Sequence, residues 1–240
     1  VVSSAKRVFT TAATTEANGA TFYVTGTLNL YDGIFGPAAN TDTVTTGEGG
    51  VIYADKGKIN MYGGLIMGAS AAKGGAVVLQ GSSASKQAQM NMYNGVIRDG
   101  VATGGGGNIN VEYAKFTMED GLILNGKGNN GGSLYHDGGA GTVITINGGI
   151  ISQGTAANYG GNLYHSATSS KTIVNDGLFY KGEAKNGGSA YINNGVFAVY
   201  GGNFYGGTAT SGAGGNIYAN AGKYYIDKNG DVEKNYNYIG

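Results

Sequence analysis

Two histidines, His136 and His165, are the only imidazoles among 240 residues, and each follows a tyrosine, in Tyr135-His136-Asp137 and Tyr164-His165. Set one strand spacing apart, two imidazoles could hold a transition metal together with Asp137 or a water. Their counterparts in neighbouring repeats are Ala54, Leu79, Val111, Ile192 and Ala219, which places the pair near the interior and predicts a hydrogen-bonded neutral stack. Acid–base hydrolysis of a glycoside needs two carboxylates at a defined separation, and the acids here are dispersed. Asp32, Asp120 and Asp176 each precede a glycine, where aspartate is ordinary turn chemistry. No serine sits on a nucleophile elbow, the glycine-rich turns do not open helices as phosphate loops must, and without cysteine no thiolate zinc site can form. No catalytic residue, metal or cofactor is therefore assigned.

Tyrosine is the more informative residue, with 18 copies. Tyr53, Tyr135, Tyr164, Tyr191 and Tyr218 share one register and are expected to point outward, as a ligand-binding face for sugars or a partner protein or as a self-stacking column. A second set comprises Tyr31, Tyr62, Tyr93 and Tyr200. Asn108, Ser133, Asn162, Ser189 and Asn216 form a polar ladder that is expected to be structural, hydrogen-bonding along a stack and satisfying turn backbone.

These columns exist only if the chain repeats. Gly-Gly pairs recur at Gly49-Gly50, Gly74-Gly75, Gly106-Gly107, Gly131-Gly132, Gly160-Gly161, Gly187-Gly188 and Gly214-Gly215, alternating with a glycine preceded by Asp, Asn or Gly at Gly33, Gly64, Gly95, Gly121, Gly149, Gly177, Gly202 and Gly230. Measured from the second glycine of each pair, the next such glycine lies 14 to 20 residues on, and from Gly64 onward the return to a pair takes 11 to 13. One side of each unit thus accepts insertions, which fall around 81–86, 137–141 and 167–170. Apolar residues alternate with a period of two. After each pair comes Ile52, Val77, Ile109, Leu134, Leu163, Ala190 or Ile217; before the second glycine come pairs such as Ile59/Met61, Met90/Met92 and Phe116/Met118; after it comes Phe35, Ile66, Ile97, Ile123, Ile151, Phe179 or Phe204. Three short strands per unit predict an all-β right-handed parallel β-helix of about eight coils, with each coil burying its apolar edges against the next. Residues 20–222 carry the repeats, and 1–19 and 223–240 are expected to be end caps, Lys223-Tyr224-Tyr225-Ile226 being strand-like.

Composition agrees. The chain has 48 Gly, only 12% charged residues, and 15 basic residues balancing 15 acidic ones. Collagen needs glycine at every third position, which is not seen. There is no basic patch for nucleic acid and no apolar run long enough for a transmembrane helix, so neither nucleic-acid binding nor membrane insertion is expected.

Gly-Gly-Asn-Ile-Asn (106–110), Gly-Gly-Asn-Leu-Tyr (160–164) and Gly-Gly-Asn-Ile-Tyr (214–218), with Phe116-Thr117-Met118-Glu119-Asp120-Gly121 and Ile59-Asn60-Met61-Tyr62-Gly63-Gly64 between such pairs, resemble the glycine-rich repeats of bacterial surface β-helices. These belong to the pectin-lyase-like superfamily and include the polymorphic membrane protein adhesins with Gly-Gly-Ala-Ile-type repeats. The resemblance implies an extracellular or cell-surface location and contact with polysaccharide or a host surface. It also raises polysaccharide lyase or glycoside hydrolase activity as the alternative. Asn40-Thr41-Asp42 is similar to the first polygalacturonase motif, but its paired-Asp, Gly-His-Gly and Arg-x-Lys companions are missing, and Arg98 has no basic neighbours of the kind a lyase uses. The expectation is a non-catalytic structural or adhesive rod that meets a glycan, a surface protein or copies of itself, the last by end-to-end assembly into filaments.

Overall fold

A computed structural model describes residues 7–9, 18–19, 21–37, 47–221 and 223–226; for 7–9 and 223–226 the backbone alone is considered. Among these residues there is no helix, and all paired strands run parallel as a β-solenoid. The register steps from Phe22 to Ile52, Val77, Ile109, Leu134, Leu163, Ala190 and Ile217, giving about seven turns of 25 to 32 residues. At about 4.8 Å per turn the stack is roughly 34 Å long.

Three eight-stranded sheets wall the core. The first runs from Phe22–Val24 to Ile217–Ala219, the second from Thr27–Leu30 to Lys223–Ile226, and the third from Arg7–Phe9 to Asn203–Tyr205. Alternation sends the expected columns inward: Ile52, Val77, Ile109 and Leu134 from the first sheet, Ile59, Met90 and Phe116 from the second, and Ile66, Ile97 and Ile123 from the third are all fully buried. Lys223–Ile226 is a strand paired to Val196–Val199, and Arg7–Phe9 pairs to Ile34–Gly36. Most of the two expected caps, Gly230, and 38–46 with its Asn40-Thr41-Asp42 lie outside the described residues.

The expectation of three strands per coil needs correcting. A fourth, six-stranded sheet runs from Ser70–Ala71 to Thr208–Ala209. It belongs to a side lobe with a pinched neck. In the turn containing Ile109, a Cβ on Gly100 would stand 2.1 Å from the Gly107 carbonyl oxygen, so the chain that leaves at Gly100 returns within contact at Gly107. Its strands are as short as two residues and turn alanine or glycine inward (Ala71, Ala102, Gly128, Ala156, Ala184), so no run of alternating large and polar residues announces them. In four of the necks the entering residue is left-handed without being glycine: Asp99, Asn125, Gln153 and Lys181 have φ between 48° and 61°, whereas Gly206 fills this position in the last. Side chains in that region cost about 1–2 kcal/mol each, a strain that the stacking of identical necks must offset.

Candidate functional site

Four arrangements of polar and aromatic side chains arise from this stacking. In the first, the tyrosine column of the first sheet lies on the outer surface of that sheet but is not a free face. Tyr53, Tyr164 and Tyr191 are only 9%, 8% and 7% exposed, and Tyr135 and Tyr218 are half-buried. The reason is the side lobe, which folds back over them. A Cβ on Gly105 would stand 2.4 Å from the Tyr135 ring, and Tyr159, from a lobe strand, packs on Tyr191 at 4.5 Å. Tyr135, Tyr164, Tyr191 and Tyr218 stack successively at 5.3, 5.5 and 4.9 Å. Burial raises the phenol pKa of Tyr164, and that of Tyr53 to about 12. The expected outward ligand-binding face is therefore corrected to an inter-lobe zipper.

The exposed aromatics are the second set. Tyr31, Tyr62 and Tyr93 stand at the corner after the second sheet, 70%, 42% and 42% exposed. Successive ring centroids are 4.9 Å apart with planes within 7°. Beside them the Asn60 amide donates to Asn29 Oδ1 at 2.8 Å, and the Asn91 amide to Asn60 Oδ1 at 3.0 Å. Further along the stack the tyrosine position is taken by Glu119, Asn147 and Asn175, also linked by amide donation, and then by Tyr200. Stacking covers the inner ring faces, leaving phenol edges and hydroxyls at sheet spacing. Tyr31 stacks, among the described residues, on one side only.

The polar ladder closes the necks. Asn108 Oδ1 accepts the Gly100 N–H at 2.8 Å while its amide donates to the Leu124 carbonyl in the next turn at 2.9 Å. Asn162 repeats this with Gly154 and Tyr180, and Asn216 Oδ1 accepts from Gly207. The residues between them do not join an along-stack chain, contrary to expectation: the Ser133 and Ser189 hydroxyls are buried without a partner. Asn108 and Asn162 each reach into the next turn, so Ser133 and Ser189 there can only be small. Asp32, Asn94, Asp120 and Asp176 accept the N–H of the following glycine at 2.7 Å, which is turn chemistry.

His136 and His165 are fully buried, with rings edge to face at 4.5 Å. Both Nδ1 atoms meet Thr172 Oγ1, at 2.9 and 2.8 Å. Ser170 Oγ lies 3.0 Å from His165 Nε2 and donates its proton to the Ala167 carbonyl. Proton counting fixes the neutral tautomers. His165 Nε2 must donate to Ser170, so its Nδ1 accepts the Thr172 proton, and His136 Nδ1 donates to Thr172. That leaves His136 Nε2 as a buried acceptor with no hydrogen-bond partner. Burial holds the His165 pKa down to about 4. Burial and the neighbouring His165 hold that of His136 well below the usual value. Among the described residues no group of three or more His, Asp or Glu converges as a metal site.

The insertions gather at one corner, between the first and second sheets. Gln87 Nε2 donates to the Gly141 carbonyl, joining the segment after the first insertion to the second. The second and third insertions border an open groove of about 490 Å³ over Glu112 and Tyr113. No protein family, no curated protein and no solved structure matches the chain.

Proposed function

We propose that this protein is a non-catalytic structural and adhesive rod, acting outside the cell or on its surface, that contacts a glycan or a surface protein through the Tyr31–Tyr62–Tyr93 column and its asparagine flank. The observation that carries this reading is the exposure of three parallel, stacked phenols held in register by the sheet beneath. Tyrosine combines an apolar ring with a polar tip and is enriched at contact surfaces. Because stacking already fixes these rings, binding does not have to freeze them, and that lowers the entropic cost of association. A polymer lying along the rod would meet hydroxyl and amide groups every 4.9 Å. The likeness of the Gly-Gly repeats to those of surface β-helices supports an exterior location.

Retention on affinity gels and immobilised surface proteins tests this reading. The wild-type protein should be retained by at least one polymer or protein of the panel, and Tyr62→Ala/Tyr93→Ala should lose that retention while keeping its circular dichroism. Absence of wild-type retention across the panel, or full retention by the variant, would overturn it. Release of new reducing or unsaturated ends from any retained polysaccharide would replace it with an enzyme.

A further inference from the structure

The third sheet turns an aliphatic column outward as well as inward. Ile34, Leu65, Val96, Leu122, Ile150 and Leu178 occupy one register across six turns. They alternate with the buried Phe35, Ile66, Ile97, Ile123, Ile151 and Phe179, and each is half-buried. The second outward column adds the half-buried Leu124 and Tyr180, while Met67 and Ser152 in it are buried and Arg98 is charged. Tyr180 stacks on Tyr205 at 5.7 Å with planes 1° apart. An aliphatic column running six turns along an outer sheet face is uncommon on a monomer and marks an interaction site.

The margins of this face differ in charge. On the side where each turn enters the sheet stand the exposed acids Asp32, Glu119, Asp120 and Asp176. On the exit side stand Arg98, paired to Asp99 at 3.0 Å, and Lys181, whose ammonium lies over the Tyr180 ring. Asp176 and Lys181 thus flank the same strand, Leu178–Tyr180.

The geometry points to a second copy of this chain as the occupant: two rods pack side by side in parallel, face to face across the third sheet, about a two-fold axis along the rod. With Arg98 already neutralised by Asp99, Lys181 is the exit-side cation left to pair, and that rotation sets Asp176 of each copy against the other copy's Lys181, twice, as an isologous interface requires. Antiparallel packing about an axis across the rod would set acid against acid. Strand plus margins is six residues of about 3.3 Å wide and five spacings of about 4.8 Å long, roughly 500 Å² per copy, at the low end of specific interfaces, where ~800 Å² per copy is standard. The Tyr31–Tyr62–Tyr93 column borders the entry margin of this face, but the residues substituted to test each reading are different, so either reading can fail alone.

Sedimentation of the whole chain over a dilution series tests it. The expected result is reversible conversion between 24.3 kDa and twice that mass. Leu122→Lys/Ile150→Lys should abolish the dimer with circular dichroism unchanged. Asp176→Lys and Lys181→Asp should each weaken it about tenfold or more, and the two together in one chain should restore it. A monomer at every concentration, a dimer indifferent to Leu122→Lys/Ile150→Lys, or a charge swap that restores nothing would overturn the proposal.

Discussion

His136, His165 and Thr172 place three polar side chains where neighbouring turns carry Leu79, Val111 and Phe197. Because both imidazoles are held neutral, the sign of their pH effect is fixed. The unfolded chain takes up protons near pH 6.5, whereas His165 in the fold resists until about pH 4. Stability is therefore fully present above pH 6.5 and falls as the pH drops through this window, on the order of 3 kcal/mol from His165 alone. Thermal melts from pH 7 to 4 should show the decline, and His136→Leu/His165→Leu/Thr172→Val should flatten the histidine-dependent part. A wild-type melting temperature that does not fall between pH 6.5 and 4 would contradict the buried pair. Asn162→Ala should cost about 1–3 kcal/mol, because it strands the Gly154 N–H at a buried neck; denaturant unfolding reads this directly.

Elements were legible in proportion to their length and the size of their side chains. Three- to five-residue strands with Ile, Met or Phe turned inward declare themselves by alternation, which is why the three core sheets and the insertion corner could be placed from the sequence. The lobe strands could not, since a pair such as Ser70–Ala71 has no period to read. Burial of Tyr53, Tyr164 and Tyr191 was hidden for the same reason, as their cover is that unrecognised lobe. The outward Ile34-to-Leu178 column was concealed differently: beside an inward apolar residue, an outward one looks like a continuous buried run. Glycine requirements now separate by position. A Cβ on Gly132 would fall 2.3 Å from the Gly161 carbonyl oxygen, whereas one on Gly26 meets nothing within 4 Å. Gly132→Ala should prevent cooperative folding or cost more than about 4 kcal/mol, an exceptional value for a single substitution. Gly26→Ala should stay within about 1 kcal/mol of wild type in the same unfolding experiment.

At the scale of the whole molecule, the stacked turns make a rigid rod whose sides differ in chemistry: a lobe zipped by covered tyrosines, a corner of insertions, an aliphatic face, and an edge of open phenols. Adhesion through that edge is the central claim, and nitration footprinting tests it tyrosine by tyrosine. In the free protein, tetranitromethane should modify Tyr31, Tyr62 and Tyr93 and spare Tyr53, Tyr164 and Tyr191, which are buried. With the protein bound to the polymer or surface protein that retains it, Tyr31, Tyr62 and Tyr93 should become protected. Unchanged nitration of these three in the bound state would contradict the account.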